Sequence, residues 1–371
     1  MAIDGALAIN AAIIGQHPTG LGFYALHLIS GLAALGQRLV VYTSRPDLIK
    51  APGAQVHRVS AAMGPERGAP GHLRRLLWTQ TGLRARVWRT RPRVLLNVTP
   101  EGLLGTALPQ VTTIHDVLPL LYPAEYPRQR YYFRYYVPAV LRASRAVIAS
   151  SESTRRDLLR FYNVPAEKVH VVLLGYDPSQ FTAEGRKAVL GPEPYLLYVG
   201  NVMPHKNLDR LVDAFAKVVS QIPVRLVLCG SGKRRYVEAL RRRIAALSLE
   251  DWIDWRPYVS DEELPALYRG AHALVLPSLH EGFGLPALEA MACGTPVVAA
   301  AASSIPEVVG DAALLVDPRD VGSIATALGQ VLTDARLCQH LSARGRERVQ
   351  RFPWELTARA VQRTVAHAIA A

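Results

Sequence analysis

Short apolar runs bounded by Gly, Pro and Asp alternate along this chain with longer segments whose apolar residues recur every three to four positions. The runs predict buried strands and the longer segments amphipathic helices. In the first half Ala6–Ile14, Arg38–Thr43, Val94–Val98, Val111–Ile114, Ala146–Ala149 and Val169–Val172 read as strands, with a helix over Gly22–Leu35. The pattern then restarts with strand Tyr195–Val199, helix Leu208–Val219, and strands Val224–Cys229, Ala273–Leu276 and Pro296–Ala299. After Arg351-Phe352-Pro353-Trp354 an amphipathic helix runs from Glu355 onward and suits either half.

Strands alternating with helices build parallel α/β sheets. At 371 residues the chain is long enough for two such domains, each with its own core. Gly, Pro and Asp cluster over Gly175–Pro194, so the division is expected as 1–175 and 176–354. Ligands of open parallel sheets sit beyond the carboxyl ends of the strands. Two sheets facing each other would put the chemistry in a cleft between them.

Candidate chemistry concentrates in His280-Glu281-Gly282-Phe283-Gly284-Leu285-Pro286-Ala287-Leu288-Glu289. Pro286 suits the first turn of a helix, where a missing N–H costs nothing. Glu281 therefore falls on the loop and Glu289 in the opening turn of the helix. Amides near Gly284 and Leu285 would point out of the helix end, a natural place for phosphate. Carboxylates that accept hydrogen bonds from neighbouring hydroxyls suit a sugar or a ribose diol. A buried strand–loop–helix corner with purely conformational glycines is the bland alternative; it would suit either glutamate alone, but the agreement of several local signals over the whole run outweighs it.

Other strand ends carry further candidates. His17-Pro18-Thr19-Gly20-Leu21-Gly22-Phe23-Tyr24-Ala25 matches a dinucleotide fingerprint through Gly20, Gly22 and Ala25. Five residues separate it from the strand, however, and the acidic ribose ligand is missing at Thr43-Ser44-Arg45. A mobile glycine loop approaching a diphosphate is the better reading. His115 and Asp116 follow the strand ending at Ile114; His115 is expected to bond a transferred sugar, with Asp116 orienting its ring or touching the same sugar. Lys206, just before a helix, is placed to neutralise a phosphate. Asn207 reads as that helix's N-cap. The stretch Tyr122–Tyr136, with Arg128, Arg130 and Arg134 interleaved, reads equally as an interfacial face or a half-buried helix. With no Asp-x-Asp metal pair, no metal site is expected, and leaving-group charge would fall to Lys206, amides and helix ends.

Composition changes the picture in one respect. The net charge is +13, and residues 1–175 hold 21 Lys and Arg against 9 Asp and Glu, an excess of 12. An anionic membrane surface or a lipid-phosphate acceptor fits this one-sided excess better than nucleic acid, for which no binding module is present. A composition that simply favours arginine on solvated faces is the plain alternative. Cys229, Cys293 and Cys338 are scattered, so a reduced cytoplasmic setting is expected, at most at the inner face of a membrane. Asp4 and the lack of a basic n-region speak against a secretory signal.

The Glu281–Glu289 run resembles the E-x7-E signature of retaining GT-B glycosyltransferases, and the chain as a whole resembles glycosyltransferase family 4, with bacterial mannosyltransferase-like enzymes most similar. The resemblance also takes in the Ile114-His115-Asp116 strand end, the Gly200–Leu208 turn, Arg256-Pro257-Tyr258-Val259 and the Phe352-Pro353-Trp354 tail. It implies two Rossmann-like domains facing across a cleft, an acceptor-side first domain completed by helix 355–371, and a second domain that binds a nucleotide sugar linked to GDP or UDP.

By the same resemblance, Glu281 would hold donor-sugar hydroxyls, Glu289 the ribose, and amides of Phe283, Gly284 and Leu285 the sugar and diphosphate. Lys206 would pair the phosphates, Gly20 and Gly22 would close on them, His115 would meet the sugar, and the Tyr258-Val259 backbone would flank the base. One departure is Asn201, where many members carry a second basic diphosphate ligand. No cofactor is expected, and a saccharide or polyprenyl-linked hydroxyl is the expected acceptor. A nucleotide-sugar epimerase, a phosphorylase, a non-catalytic sugar-binding subunit and an NAD(P) oxidoreductase are the rival readings.

Overall fold

The computed structural model describes residues 4–16 and 18–370. The chain forms two compact units. One runs to Gly175 and resumes at Trp354; the other is Tyr176–Pro353. No helix among the described residues is long and apolar enough to cross a membrane.

The first unit holds seven parallel strands: β1 (Leu7–Asn10), β2 (Leu39–Thr43), β3 (Gln55–Arg58), β4 (Val94–Asn97), β5 (Gln110–Ile114), β6 (Ala146–Ala149) and β7 (Val169–Val171). Their order is β3-β2-β1-β4-β5-β6-β7. β1, β2, β4, β5 and β6 are buried throughout, because helices cover both faces, which is why none of them carries a charged residue. The helix Trp354–Ala370 packs on this unit: Ala358 lies against Gly31 and the Trp354 indole stacks on His27 at 4.9 Å.

The second unit holds six parallel strands: β8 (Tyr195–Val199), β9 (Arg225–Cys229), β10 (Ile253–Arg256), β11 (Ala273–Leu276), β12 (Val297–Ala300) and β13 (Leu314–Val316). Their order, β10-β9-β8-β11-β12-β13, is that of a dinucleotide-binding sheet. The helix Leu208–Val219 shows how the packing is encoded. Leu208, Leu211, Val212, Phe215 and Val218 recur at helical spacing and all bury against the sheet. Truncating Phe215 alone would cost about 3–5 kcal/mol.

In both sheets the order reverses direction at one point, between β1 and β4 and between β8 and β11. Loops leaving the two central strands part there and open a crevice at the carboxyl edge. Lys206 follows β8, Glu281 follows β11, and the reversal brings them together.

Candidate active site

Glu281 lies on the loop between β11 and the helix Leu285–Ala292. Its Oε1 accepts hydrogen bonds from Lys206 Nζ at 2.6 Å and Ser278 Oγ at 2.7 Å. Both ionic side chains are largely buried. Burial alone would raise the carboxyl pKa, but the ammonium and the two hydrogen bonds outweigh it and hold Glu281 below its usual range. The two residues expected to hold sugar and phosphate separately therefore hold each other.

The loop's backbone is fixed by two hydroxyls that the sequence reading missed. Ser303 Oγ donates to Glu281 O at 2.6 Å and accepts from Glu281 N. Ser304 Oγ donates to the carbonyls of both Glu281 and Phe283. A serine beside a strand end gives no spacing signal, so only the fold reveals this role. Phe283 turns its ring into the core against Phe352, leaving only its amide for a ligand.

Gly284 caps the helix at φ 113°, a conformation that favours glycine, and a Cβ there would meet Ile305 Cδ1 at 2.7 Å. Among the described residues no protein acceptor serves the N–H groups of Phe283, Gly284 and Leu285. These are the unserved donors of a helix N-terminus, the backbone chemistry that suits an anion, and Lys206 is bonded to Glu281 on the same loop.

Glu289 is the fifth residue of the helix, in its second turn rather than the opening one. Tyr268 donates to its Oε2 at 2.8 Å. Burial pushes its pKa up to about 7, opposed by the Tyr268 hydrogen bond and reinforced by Asp261. The two glutamates thus have different partners and opposite shifts.

Asn207 corrects its expected role. It occupies the cap position in a left-handed conformation, φ 62°, and its side chain makes no cap hydrogen bond. Its Nδ2 instead donates to Pro277 O at 2.9 Å and Pro318 O at 2.6 Å, stitching the β11 exit to the loop after β13. Asn201 is exposed just past β8, with its carbonyl held by Tyr198 Oη at 2.9 Å. Tyr258 and Val259 follow edge strand β10; the Tyr258 ring is exposed and Val259 half-buried.

In the first unit Gly20 and Gly22 lie in the first turn of the helix Gly20–Ala34, not in a loop. Thr19 is the cap residue and its carbonyl takes Phe23 N at 2.9 Å, so the glycine amides are first-turn donors that no helical carbonyl serves. A Cβ at Gly20 would meet nothing within 4 Å, which leaves the helix tip open. His17 lies outside the described residues.

His115 follows β5, with Nε2 at 3.1 Å from Val98 O and its ring edge-on to Tyr24 at 4.6 Å. A carbonyl only accepts, so Nε2 carries the proton and neutral imidazole keeps its acceptor at Nδ1. Burial lowers the His115 pKa to about 4, so the ring is neutral near pH 7. The ring's orientation comes from Val98; Asp116 Oδ1 instead accepts from Leu118 N at 2.9 Å and starts the next turn. Of the tyrosine stretch, Tyr132 and Tyr136 turn inward, while Tyr131 and Tyr135 remain exposed beneath Arg130 and Arg134.

The two parallel sheets define a Rossmann-like α/β architecture, and comparison with known proteins places it. Residues 18–180 match Glycosyltransferase Family 4, and residues 181–348 match Glycosyl transferases group 1. The O-antigen chain mannosyltransferase B of Escherichia coli is 35% identical over 66% of this chain and 67% of its own length. The MMP alpha-(1->4)-mannosyltransferase of Mycolicibacterium hassiacum is 31% identical over 92% of this chain and 93% of its own. The Anabaena protein HepE, solved with UDP-glucose, superposes with a TM-score of 0.74 at 19% identity, covering 98% of this chain and all of that one. The chain belongs to glycosyltransferase family 4. It is a glycosyltransferase of the GT-B fold.

Proposed function

We propose that this enzyme transfers a hexose, mannose before glucose, from a GDP- or UDP-linked donor to a hydroxyl of a saccharide or polyprenyl-linked acceptor, with retention of configuration, in polysaccharide or glycolipid synthesis. The observation that carries the proposal is the unserved amide set Phe283–Gly284–Leu285 beside the buried Lys206–Glu281 pair. A diphosphate takes the amides and draws Lys206, which frees Glu281 to accept hydrogen bonds from the sugar. Glu289 then takes the ribose, and the base lies along Tyr258 and Val259, with Asn201 beside the diphosphate. His115 Nδ1 accepts from a sugar hydroxyl, and the Gly20–Gly22 helix tip meets the diphosphate.

Glu281 and Glu289 are ligand holders here and not a glycosidase pair, which must flank one bond at a set separation. No side chain serves as nucleophile. The leaving diphosphate takes the acceptor proton on the same face, and catalysis rests on positioning and on leaving-group stabilisation by Lys206 and the helix end, with no metal. The mannosyl preference is supported by the names of the two relatives above.

A calorimetric panel of GDP, UDP and ADP, followed by transfer assays with the matching hexose donors, tests the reading. Lys206→Met should cut kcat by about 10²–10³. Each of Lys206→Met and Glu281→Gln strands a buried charged or polar partner and should destabilise the fold. The double variant should regain most of that stability while staying inactive. A product of inverted anomeric configuration, or full activity in the double variant, would overturn the assignment.

A further inference from the structure

The stretch from Gly68 to Arg93 carries a surface to which the proposed function assigns no role. Helical segments Gly68–Trp78 and Arg84–Thr90 are joined without a break by a π turn over Thr79–Leu83. The wider turn keeps every fourth residue in line. Arg75, Thr79, Leu83 and Val87 face inward and are buried, while Leu73, Leu77, Thr81 and Ala85 face outward. Leu73, Leu77 and Trp88 are 58%, 59% and 74% exposed.

The charge on this stretch is one-sided. From Arg67 to Arg93 the chain has eight arginines and no lysine, aspartate or glutamate. Only Arg75 meets a carboxylate among the described residues, Glu101 at 2.9 Å. A cavity of about 590 Å³ opens beside Trp88, lined by Arg84, Arg91, Thr81, Thr106 and Leu108. Arg84 is steadied there by the carbonyls of Gln80, Leu104 and Gly105. Pro92 precedes β4 and Leu108 precedes β5, so the cavity lies at the amino ends of these strands, whereas His115 lies past the carboxyl end of β5.

Large exposed apolar side chains on a helix ringed by arginines match a partner with anionic heads above an apolar layer. Nucleic acid offers the phosphates but nothing for Leu73 and Leu77. A second copy would bring the same positive charge to the same face. We propose that this face docks on an anionic phospholipid bilayer, with Leu73, Leu77 and Trp88 in the headgroup–acyl boundary and a lipid phosphate entering the cavity between Arg84 and Arg91.

The test is flotation of the whole protein with vesicles of phosphatidylcholine alone or mixed with phosphatidylglycerol, at low and high salt. Leu77→Ser/Trp88→Ser and Arg89→Gln/Arg93→Gln are the variants; all four positions are exposed, and unchanged melting with unchanged donor hydrolysis certifies the fold. Binding to the anionic vesicles should exceed that to the neutral ones at least tenfold, fall tenfold in either variant, weaken with salt, and resist excess inorganic phosphate. Equal binding to both vesicle types overturns the proposal. So does undiminished binding by both variants, which would move the contact to another face such as Tyr131–Tyr135. Loss of oligonucleotide binding in the variants, with vesicle binding unchanged, would assign the face to nucleic acid.

Discussion

Glu289 is a carboxyl group whose folded pKa, about 7, stands above its ordinary 4.5 because burial disfavours the anion. The native state therefore holds a proton that the unfolded chain releases at lower pH. The stability this gives is complete below about pH 4.5 and is lost as pH rises through 7. Glu289→Gln removes the titration, so wild type should lose melting temperature relative to the variant between pH 5 and 7.5. Scanning calorimetry across that range checks it; parallel curves would mean that Glu289 titrates normally. His115 has the opposite sense: its pKa near 4 means that its share of stability is present above about pH 6.5 and is lost as pH falls through 4. The two windows, about pH 4.5–7 and 4–6.5, overlap with opposite signs, so the contributions offset each other in the wild type and only single variants separate them.

The loop from Ser278 to Leu285 is an element whose shape is set from outside its own sequence. Ser303 and Ser304 hold its carbonyls, and Gly284 supplies the one left-handed turn that delivers three free amides. Gly284→Ala would add both backbone strain and a clash with Ile305, so it should cost on the order of 1–3 kcal/mol and disturb the anion site. Ser303→Ala, which leaves Gly284 untouched, should cost about 1 kcal/mol. Urea melts with nucleoside-diphosphate titration distinguish the two: the glycine variant loses affinity well beyond its loss of stability.

What was legible in the sequence follows from the same logic. β6, β8, β11 and the helix Leu208–Val219 were readable to the residue because both faces of a central strand, or one face of a helix, must be apolar. The strands β3, β10 and β13 went unread. Each is an edge strand, and Gln55–Arg58 and Ile253–Arg256 are half-exposed with charged residues, so no apolar run marks them. Within the site, Lys206 and Glu281 stood out singly as polar residues at strand ends. Their ion pair did not, since 75 positions of chain separate them and only the sheet's reversal joins them. Asn207 stands at the cap position as the local signal says, but its side-chain amide goes to Pro277 and Pro318, distant partners that no local signal shows.

At the scale of the molecule, the first unit is discontinuous: the chain leaves it after Gly175 and returns at Trp354. The returning helix buries Ala358, Val361, Val365 and Ala368. Removing residues 354–371 should therefore unfold the first unit while the second, Tyr176–Pro353, keeps its own sheet and core. Calorimetry of the truncated chain would then show one transition, near that of the isolated second unit; an unaltered first-unit transition would count against it. The same discontinuity has a consequence during synthesis. The ribosome must emit all of Tyr176–Pro353 before the helix that covers the first sheet exists. At about 5–20 residues per second that interval is on the order of ten seconds or more. The unit that begins first is thus finished last, and throughout that interval the nascent chain presents the uncovered surface around Gly31 to whatever attends the exit tunnel.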